Sequence, residues 1–140
     1  MHLSTFTDYS LRTLFLASAN PERLVTLAEI SSYYQISIDH LRKVVHNLAK
    51  AGYLETQRGK YGGIRLARSP ANINLGDLVR HTEGAGPLID CQGTCALPPL
   101  CRLKDVLNEA LGAFFTVMDS YTLEDLVKEP EFHQLLRLSS

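Results

Sequence analysis

The sequence contains no tryptophan, only three cysteines, and no apolar run that approaches the ~20 residues of a membrane span. Residues 1–20 lack the basic start and cleavage site of a signal peptide, so we expect a cytoplasmic protein with no membrane partner. In that compartment cysteines are reduced thiols or metal ligands rather than disulfides. With 140 residues, of which 45% are apolar and 21% charged, the chain can fold as one globular domain without cross-links.

The net charge of −1 conceals an uneven distribution of charge along the chain. Residues 1–70 carry nine Lys/Arg and five Asp/Glu, whereas residues 71–140 carry five and ten. Between His40 and Arg68, seven basic residues accompany a single acidic one, Glu55. Such a run is usually a solvated face. Here it coincides with a known supersecondary pattern, and that combination favours nucleic-acid binding.

Three helices are predicted in the first 51 residues. Thr5–Asp8 and Thr26–Glu29 both have the form of a capping box, the first before a helix over 7–19 and the second before a helix ending near Tyr34. Ser37 is a suitable cap for a third helix, which has a basic outer face and ends near Ala51. Because the second and third helices are short and only about three residues apart, they form a helix-turn-helix.

A basic hairpin is predicted directly after the third helix. Strand patterns at 53–54 and 64–66 flank the glycine-rich tip Arg58–Gly63, and a hairpin in this position is a wing. The start of a recognition helix reaches base edges in the major groove, whereas a narrow basic hairpin suits the minor groove and its phosphates. The candidate DNA-binding residues are therefore Ser37, Asp39, His40 and Lys43 on the helix, and Arg58, Lys60, Tyr61 and Arg65 on the hairpin.

The predicted fold class is mainly α with a small β-hairpin wing. Its expected parts are a winged helix-turn-helix domain (1–82), a cysteine-rich loop (83–102), a dimerisation helix with a C-terminal segment (101–128) and a tail (129–140). The apolar stripe from Leu103 to Met118 is broad for a helix left over after a small domain is complete. Packing inside the monomer would account for such a stripe. We favour a homodimer, because operator-binding winged helices usually pair to contact two half-sites.

The three cysteines, Cys91, Cys95 and Cys101, lie within 11 residues of a loop interrupted by glycine and proline. Two alternatives are three free thiols and a redox disulfide. The disulfide would leave one of the three thiols unpaired. A metal centre explains the clustering best, because thiolates bind zinc or iron–sulfur clusters. A fourth ligand would then be exogenous or come from elsewhere in the fold. An enzyme is not expected, because no histidine accompanies the thiols and no phosphate-binding loop is present.

Four segments carry a resemblance to a known family: Leu3–Arg12, Arg58–Leu66, Cys101–Lys104 and Tyr121–Val127. They resemble the bacterial winged-helix iron–sulfur transcriptional regulators, and among these the nitric-oxide-sensing repressors. The resemblance implies a homodimer that crosses over through the long helix and binds an AT-rich inverted-repeat operator in double-stranded DNA. It also implies that nitric oxide is the signal that releases the repressor from DNA.

The same resemblance implies an iron–sulfur cluster, with 4Fe–4S favoured over 2Fe–2S. Its ligands would be Cys91, Cys95 and Cys101, with Asp8 of the partner subunit as the candidate fourth ligand and Arg12 orienting or neutralising that aspartate. Asp8 also suits two purely structural roles, as the acid of the Thr5 capping box and as an i,i+4 partner of Arg12.

Two departures from the family pattern bear on function. Three residues separate Cys91 from Cys95, fewer than in most members, which affects loop geometry and cluster type. Lys104 stands where the related iron–sulfur-assembly regulator has a histidine, and this favours the nitric-oxide sensor. The alternative function is a redox-responsive, iron-responsive or zinc-stabilised regulator of the same family that does not sense nitric oxide.

Overall fold

The structure is a computed structural model and describes residues 1–91, 95 and 101–139. Those residues form a mainly helical fold with one antiparallel hairpin, which is the predicted class. In chain order the elements are α1 (Thr5–Ala19), α2 (Leu27–Tyr34), α3 (Ile38–Lys50), β1 (Leu54–Gln57), β2 (Gly63–Leu66), a 3₁₀ turn (Pro70–Asn72), α4 (Leu75–Glu83), α5 (Leu103–Asp119), α6 (Leu123–Val127) and α7 (Pro130–Leu135). No helix in the described residues is both long and apolar enough to cross a membrane.

The helix-turn-helix begins where the sequence predicts it. The Thr26 side chain accepts a hydrogen bond from the Glu29 backbone N–H, and the Glu29 carboxylate accepts one from the Thr26 N–H, which completes the capping box of α2. The Ser37 hydroxyl caps α3 by accepting from the His40 N–H. Gly52, with φ of 85°, ends the turn after α3.

The predicted capping box at the start of α1 is wrong. Ser4, not Thr5, caps this helix, and its hydroxyl accepts a hydrogen bond from the Thr7 N–H. The Ser4 N–H donates in turn to the carboxylate of Glu83 at the end of α4. A carboxylate from a distant element thus replaces the local acid of the box. Asp8 is left to interact with its own helix neighbours.

The hydrophobic core surrounds α1, which packs against α3, α4, β2 and α6. The apolar face of α3, opposite its basic outer face, is buried throughout, at Leu41, Val44, Val45 and Leu48. The other fully buried large side chains come from most parts of the fold: Leu14, Leu16, Val25, Ile30, Ile64, Ile73, Leu78, Val79 and Leu123. A core drawn from so many elements holds the helix-turn-helix and the wing at fixed positions.

The C-terminal segment forms a helix that no sequence pattern predicted. Asn20, which is completely buried, donates through Nδ2 to the Leu136 carbonyl and accepts at Oδ1 from the Leu138 N–H, at 2.9 and 2.8 Å. The Tyr33 hydroxyl donates to the Leu135 carbonyl at 2.9 Å. These contacts fasten α7 and the residues after it to the end of α1 and to the end of α2.

Helix α5 differs from every other long helix, because none of its residues is buried. Val106 and Val117 are 52% and 58% exposed, and Leu103 and Phe114 are also exposed. Isolated monomers rarely present so much contiguous apolar surface. One side of the predicted stripe, with Phe115, packs against α4, whereas Leu103, Val106, Phe114 and Val117 stay exposed in the described part of this chain.

Candidate nucleic-acid interface and cysteine loop

The turn between α2 and α3 is shaped by two adjacent residues. Gln35 ends α2 in the left-handed conformation, with φ of 58° and ψ of 46°, and its side-chain amide donates to the Ser32 carbonyl. Ile36 is buried and anchors the turn in the core. Helix α3 consequently begins at the surface, and its first two turns present the predicted set of Ser37, Asp39, His40 and Lys43, all of them exposed.

Besides Ser37, which caps α3, Asp39 and His40 each contact another side chain. Asp39 forms an exposed ion pair with Arg42, at 3.1 Å between Oδ1 and Nη1. The imidazole of His40 lies 6.0 Å from the ring of Tyr9, centroid to centroid, so the start of α3 touches α1. An exposed pair such as Asp39–Arg42 contributes little to stability and can rearrange when DNA approaches.

The wing carries its charge at the tip. Strands β1 and β2 pair from Leu54–Leu66 to Gln57–Gly63, a longer hairpin than the predicted strands at 53–54 and 64–66. Its tip exposes Arg58, Lys60 and Tyr61, with Tyr61 at 81% exposure and the Lys60 ammonium 5.6 Å from the Tyr61 ring centroid. Arg65 is exposed on β2, opposite Glu55 in the register. The four predicted wing residues therefore all lie on the surface of one hairpin.

The base of the wing is fixed to the helix-turn-helix by its second strand. The Val25 N–H donates to the Ile64 carbonyl at 2.9 Å, and the Ile64 N–H donates back at 2.8 Å. Gly63 makes this close approach possible, because a Cβ there would stand 2.7 Å from the Val25 carbonyl oxygen. At Gly62, a Cβ would overlap the Gln57 carbonyl oxygen across the tip of the wing. At Gly62 it is this close contact, and not a positive φ, that excludes a side chain.

Part of the basic run has a structural role. The Arg68 guanidinium lies 4.2 Å from the ring centroid of Tyr53, and its Nε donates to the Gly52 carbonyl. Arg68 thus braces the connection between α3 and the wing. The remaining basic groups between α3 and the wing tip form the surface charge suited to phosphate contacts.

Asp8 and Arg12 form an ion pair on the surface of α1, at 2.9 Å between Oδ1 and Nε. The hydrogen bond to Asp8 raises the pKa of the Arg12 guanidinium, which stays protonated. That guanidinium also lies 5.6 Å from the ring centroid of Tyr34, at the end of α2. Tyr34 is partly buried, its pKa is raised by burial, and its hydroxyl has no hydrogen-bond partner among the described residues.

The residues around Asp8 therefore contact both helices of the helix-turn-helix. Arg12 contacts the end of α2 through Tyr34, and Tyr9 contacts the start of α3 through His40. Neither Tyr9 nor Tyr34 was predicted as part of the site. Their spacing along the chain carries no signal for these contacts, since each depends on how α1 packs across the other two helices.

A further contact reaches α3 from α4, the helix that leads into the cysteine loop. His81 Nε2 donates to the Asn47 side-chain oxygen at 2.8 Å, and the His81 ring lies 6.0 Å from the ring of Tyr53. The far end of the recognition helix is thereby joined to the segment that precedes the cysteines. This contact also had no signal in the sequence.

The cysteines are free thiols in this structure. Cys91 and Cys101 are partly exposed and Cys95 is exposed, while the rest of the predicted loop at 92–94 and 96–100 lies outside the described residues. Among the described residues, no three His, Cys, Asp or Glu side chains converge as a metal site, so Asp8 does not join the thiols within one chain. Three accessible thiols fit the ligand chemistry of an iron–sulfur cluster, and the described residues place no fourth donor beside them.

Comparison with known proteins agrees with this architecture. The family model "Rrf2: Iron-dependent Transcriptional regulator" matches residues 3–129. Proteins named HTH-type transcriptional regulator NsrR from Bacillus licheniformis and Bacillus subtilis are each 48% identical to the chain. The first match covers 91% of this chain and 92% of the relative, and the second covers 94% and 93%.

Solved structures give the same fold. CymR, the global cysteine regulator of B. subtilis, superposes with a TM-score of 0.75 at 30% identity, over 91% of this chain and 97% of CymR. T. potens IscR superposes with a TM-score of 0.74 at 28% identity, over 100% and 94%. The mainly helical winged fold and the predicted relationship are both confirmed. This chain belongs to the Rrf2 family of winged-helix, DNA-binding transcriptional regulators.

Proposed function

We propose that this regulator is a homodimeric repressor that senses nitric oxide through an iron–sulfur cluster. Cys91, Cys95 and Cys101 would hold the cluster, and Asp8 of the partner subunit would supply the fourth ligand. Three free, accessible thiols in one loop support this ligand set, as do the NsrR names of the similar regulators. Thiolate donors with one carboxylate suit a 4Fe–4S cluster that can lose its weakest ligand.

The proposed contacts with DNA follow from the two exposed elements. Ser37, Asp39, His40 and Lys43 would meet base edges in the major groove. Arg58, Lys60, Tyr61 and Arg65 would meet phosphates and the minor groove of an AT-rich inverted repeat.

The proposed dimer rests on α5. Its exposed apolar side chains, among them Val106, Phe114 and Val117, have no cover in the described part of the chain. Pairing with α5 of a second copy removes that surface from water, at about 25 cal/mol for each Å² buried. A symmetric pair also presents two winged domains to two half-sites, as an inverted repeat requires.

The observation that carries the proposed switch is the position of Asp8. It adjoins Tyr9, which touches His40 of α3, and pairs with Arg12, which touches Tyr34 of α2. A ligand bond to Asp8 would therefore act on a residue whose neighbours contact both helices of the helix-turn-helix. The same bond would join the cysteine loop of one subunit to the DNA-binding domain of the other.

The cysteines and the partner's Asp8 would hold the cluster, whose iron would supply the site that reacts with nitric oxide. An Asp8 carboxylate without a bond to iron would pair with Arg12, at the 2.9 Å seen here. The contacts of Arg12 with α2 and of Tyr9 with α3 would then no longer be linked to the partner subunit. A ~100-fold loss of operator affinity needs only ~2.7 kcal/mol of difference between the two states.

Native mass spectrometry under anaerobic conditions tests the ligand set and the dimer together. The wild-type protein should appear as a dimer with two clusters, and the Asp8→Ala variant as a dimer that loses its clusters more readily. Glu22→Ala, which removes a carboxylate paired with Arg137 at the junction of α1 and α2, is the matched control and should behave as wild type. Unchanged cluster retention in Asp8→Ala would move the fourth ligand elsewhere. A zinc mass in place of the cluster would favour the zinc-stabilised alternative.

A further inference from the structure

Side-chain hydrogen bonds join α5 to α4 near the C-terminal end of α5. An open groove separates its middle part, around Leu111 and Phe114, from Met1–Leu3 and from the residues that follow α4. No residue of the helix is buried. Its 17 residues extend about 25 Å, so a small rotation at the attached end becomes a large displacement at the other.

The attachment centres on one arginine. Arg80 on α4 donates to both oxygens of Asp119, from Nη1 to Oδ1 at 2.7 Å and from Nη2 to Oδ2 at 2.8 Å. Its guanidinium also lies 4.3 Å from the ring centroid of Phe115. Phe115 and Asp119 are four residues apart and share one face of α5. A planar group that touches both positions constrains the rotation of the helix about its axis as well as its distance from α4.

Gly76 on α4 provides the space that Asp119 occupies. A Cβ at this position would overlap Asp119 Oδ1 and stand 3.1 Å from Arg80 Nη1. Any side chain at Gly76 would therefore displace the carboxylate from the arginine. The hydrogen bond from Arg80 also lowers the pKa of Asp119, which keeps the pair ionised at neutral pH.

Backbone hydrogen bonds continue the attachment just beyond α5. The Leu75 N–H donates to the Tyr121 carbonyl at 3.0 Å, and the Leu123 N–H donates to the Ile73 carbonyl at 2.9 Å. The Asn74 side chain, which caps α4, donates to the Asp119 carbonyl at 2.7 Å. The start of α4 and the end of α5 thus form one connected unit, here called the α4–α5 clasp and defined by Gly76, Arg80 and Asp119.

We propose that the α4–α5 clasp determines the spacing between the two operator half-sites that the repressor accepts. The inference rests on the proposed function, because it requires two copies paired through α5. In such a dimer the clasp sets the angle between each winged domain and the shared helices, and hence the separation of the two recognition helices. One base pair of extra spacer moves a half-site by about 3.4 Å and turns it by about 35°. A rigid clasp would prevent the dimer from adapting to that change, so an operator with the altered spacer would bind more weakly.

The test compares spacer preference among three variants. Asp119→Asn removes the charge but keeps the shape, and Gly76→Ala displaces the carboxylate without removing a charge. Asp77→Asn is the matched control, because Asp77 also contacts Arg80, at 3.5 Å, but is exposed on α4. Duplexes carry the half-sites that the wild-type protein selects from a random library, with the spacer altered by one or two base pairs. Circular dichroism and dimer mass verify that each variant folds and pairs.

The wild-type and Asp77→Asn proteins should prefer one spacing by about tenfold over a change of one base pair. In Asp119→Asn and Gly76→Ala the preference should fall to about threefold or less, with unchanged binding to an isolated half-site. The wild-type protein could select paired sites while both clasp variants keep its spacer preference. That result would overturn the role of the clasp but not the proposed dimeric repressor. Selection of single, unpaired half-sites by the wild-type protein would overturn this inference together with the proposed dimeric repressor.

Discussion

The DNA-binding body (residues 1–83 and 120–139) and α5 are built on opposite principles. The body buries its apolar side chains within the chain, around Leu14 and Leu16, and the hydrogen-bond capacity of its buried Asn20 is used by Leu16, Leu136 and Leu138. Helix α5 buries none of its residues. The contrast indicates that the body buries its apolar side chains within one chain, whereas the exposed side chains of α5 would be covered in the proposed dimer. In that dimer, a movement of α5 would alter the arrangement of the subunits without unfolding the body.

The largest expected effect is a loss of the cluster from the cysteine loop with no change in the stability of the body. Cys91→Ala, Cys95→Ala or Cys101→Ala should each abolish iron–sulfur absorbance, because each removes a proposed ligand. The thermal unfolding midpoint of the apo protein should stay the same in all three, since no cysteine belongs to the core. Absorbance after anaerobic reconstitution and thermal unfolding are the measurements. Retention of the full cluster spectrum in any one variant would remove that thiol from the ligand set.

The second prediction compares a buried residue of α3 with an exposed one of α5. Leu48→Ala should lower the free energy of unfolding by about 2–5 kcal/mol, because Leu48 is completely buried. Val106→Ala should change it by less than about 0.5 kcal/mol in the monomer. The same variant should weaken association, measured by sedimentation against concentration. A Val106→Ala variant that destabilises the monomer as much as Leu48→Ala would show that α5 packs inside its own chain.

The third prediction concerns the C-terminal segment. Asn20→Ala leaves the Leu136 carbonyl and the Leu138 N–H without their buried partner, and should cost about 3 kcal/mol of unfolding free energy. Gln134→Ala, on the exposed side of α7, is the control and should be neutral. Urea unfolding measures both. Equal stability of the two variants would mean that the segment contributes nothing to the body.

The smallest expected effect distinguishes the wing from the recognition helix. Arg58→Ala or Lys60→Ala should weaken binding to all DNA sequences and reduce the slope of log affinity against log salt by about 1. Changes at Ser37 or His40 should instead alter which sequences bind. Lys128→Ala, in the acidic half of the chain, should leave the slope as it is. If both sets changed sequence preference equally, the division of labour between helix and wing would be wrong.

Much of the body could be predicted from local signals. The caps at Thr26 and Ser37 lie where a hydroxyl stands three residues before a donating N–H, and each begins the predicted helix. The start of α1 could not be predicted, because the carboxylate that completes its cap comes from Glu83, at the far end of α4. A local pattern identifies a cap only when the local residues supply both of its hydrogen bonds.

The site was predictable as a set of residues but not as a set of contacts. Charge and position indicated the exposed residues of α3 and the wing, because exposure follows from helical and hairpin periodicity. The contacts of Tyr9 with His40 and of Arg12 with Tyr34 join separate helices. These contacts depend on the angles at which the helices pack, and no local sequence pattern specifies those angles. The α4–α5 clasp had no signal for the same reason, since Arg80 and Asp119 are 39 residues apart.

The proposed coupling between the cysteine loop and the recognition helix is tested most directly by operator affinity during anaerobic titration with nitric oxide. Cluster-loaded wild-type protein should bind its selected operator tightly, lose about 100-fold in affinity at stoichiometric nitric oxide and remain a dimer. Cys91→Ala should bind weakly with or without the gas. Unchanged operator affinity after complete nitrosylation of the cluster-loaded dimer would contradict nitric oxide as the signal, and would favour oxidation or iron status in its place.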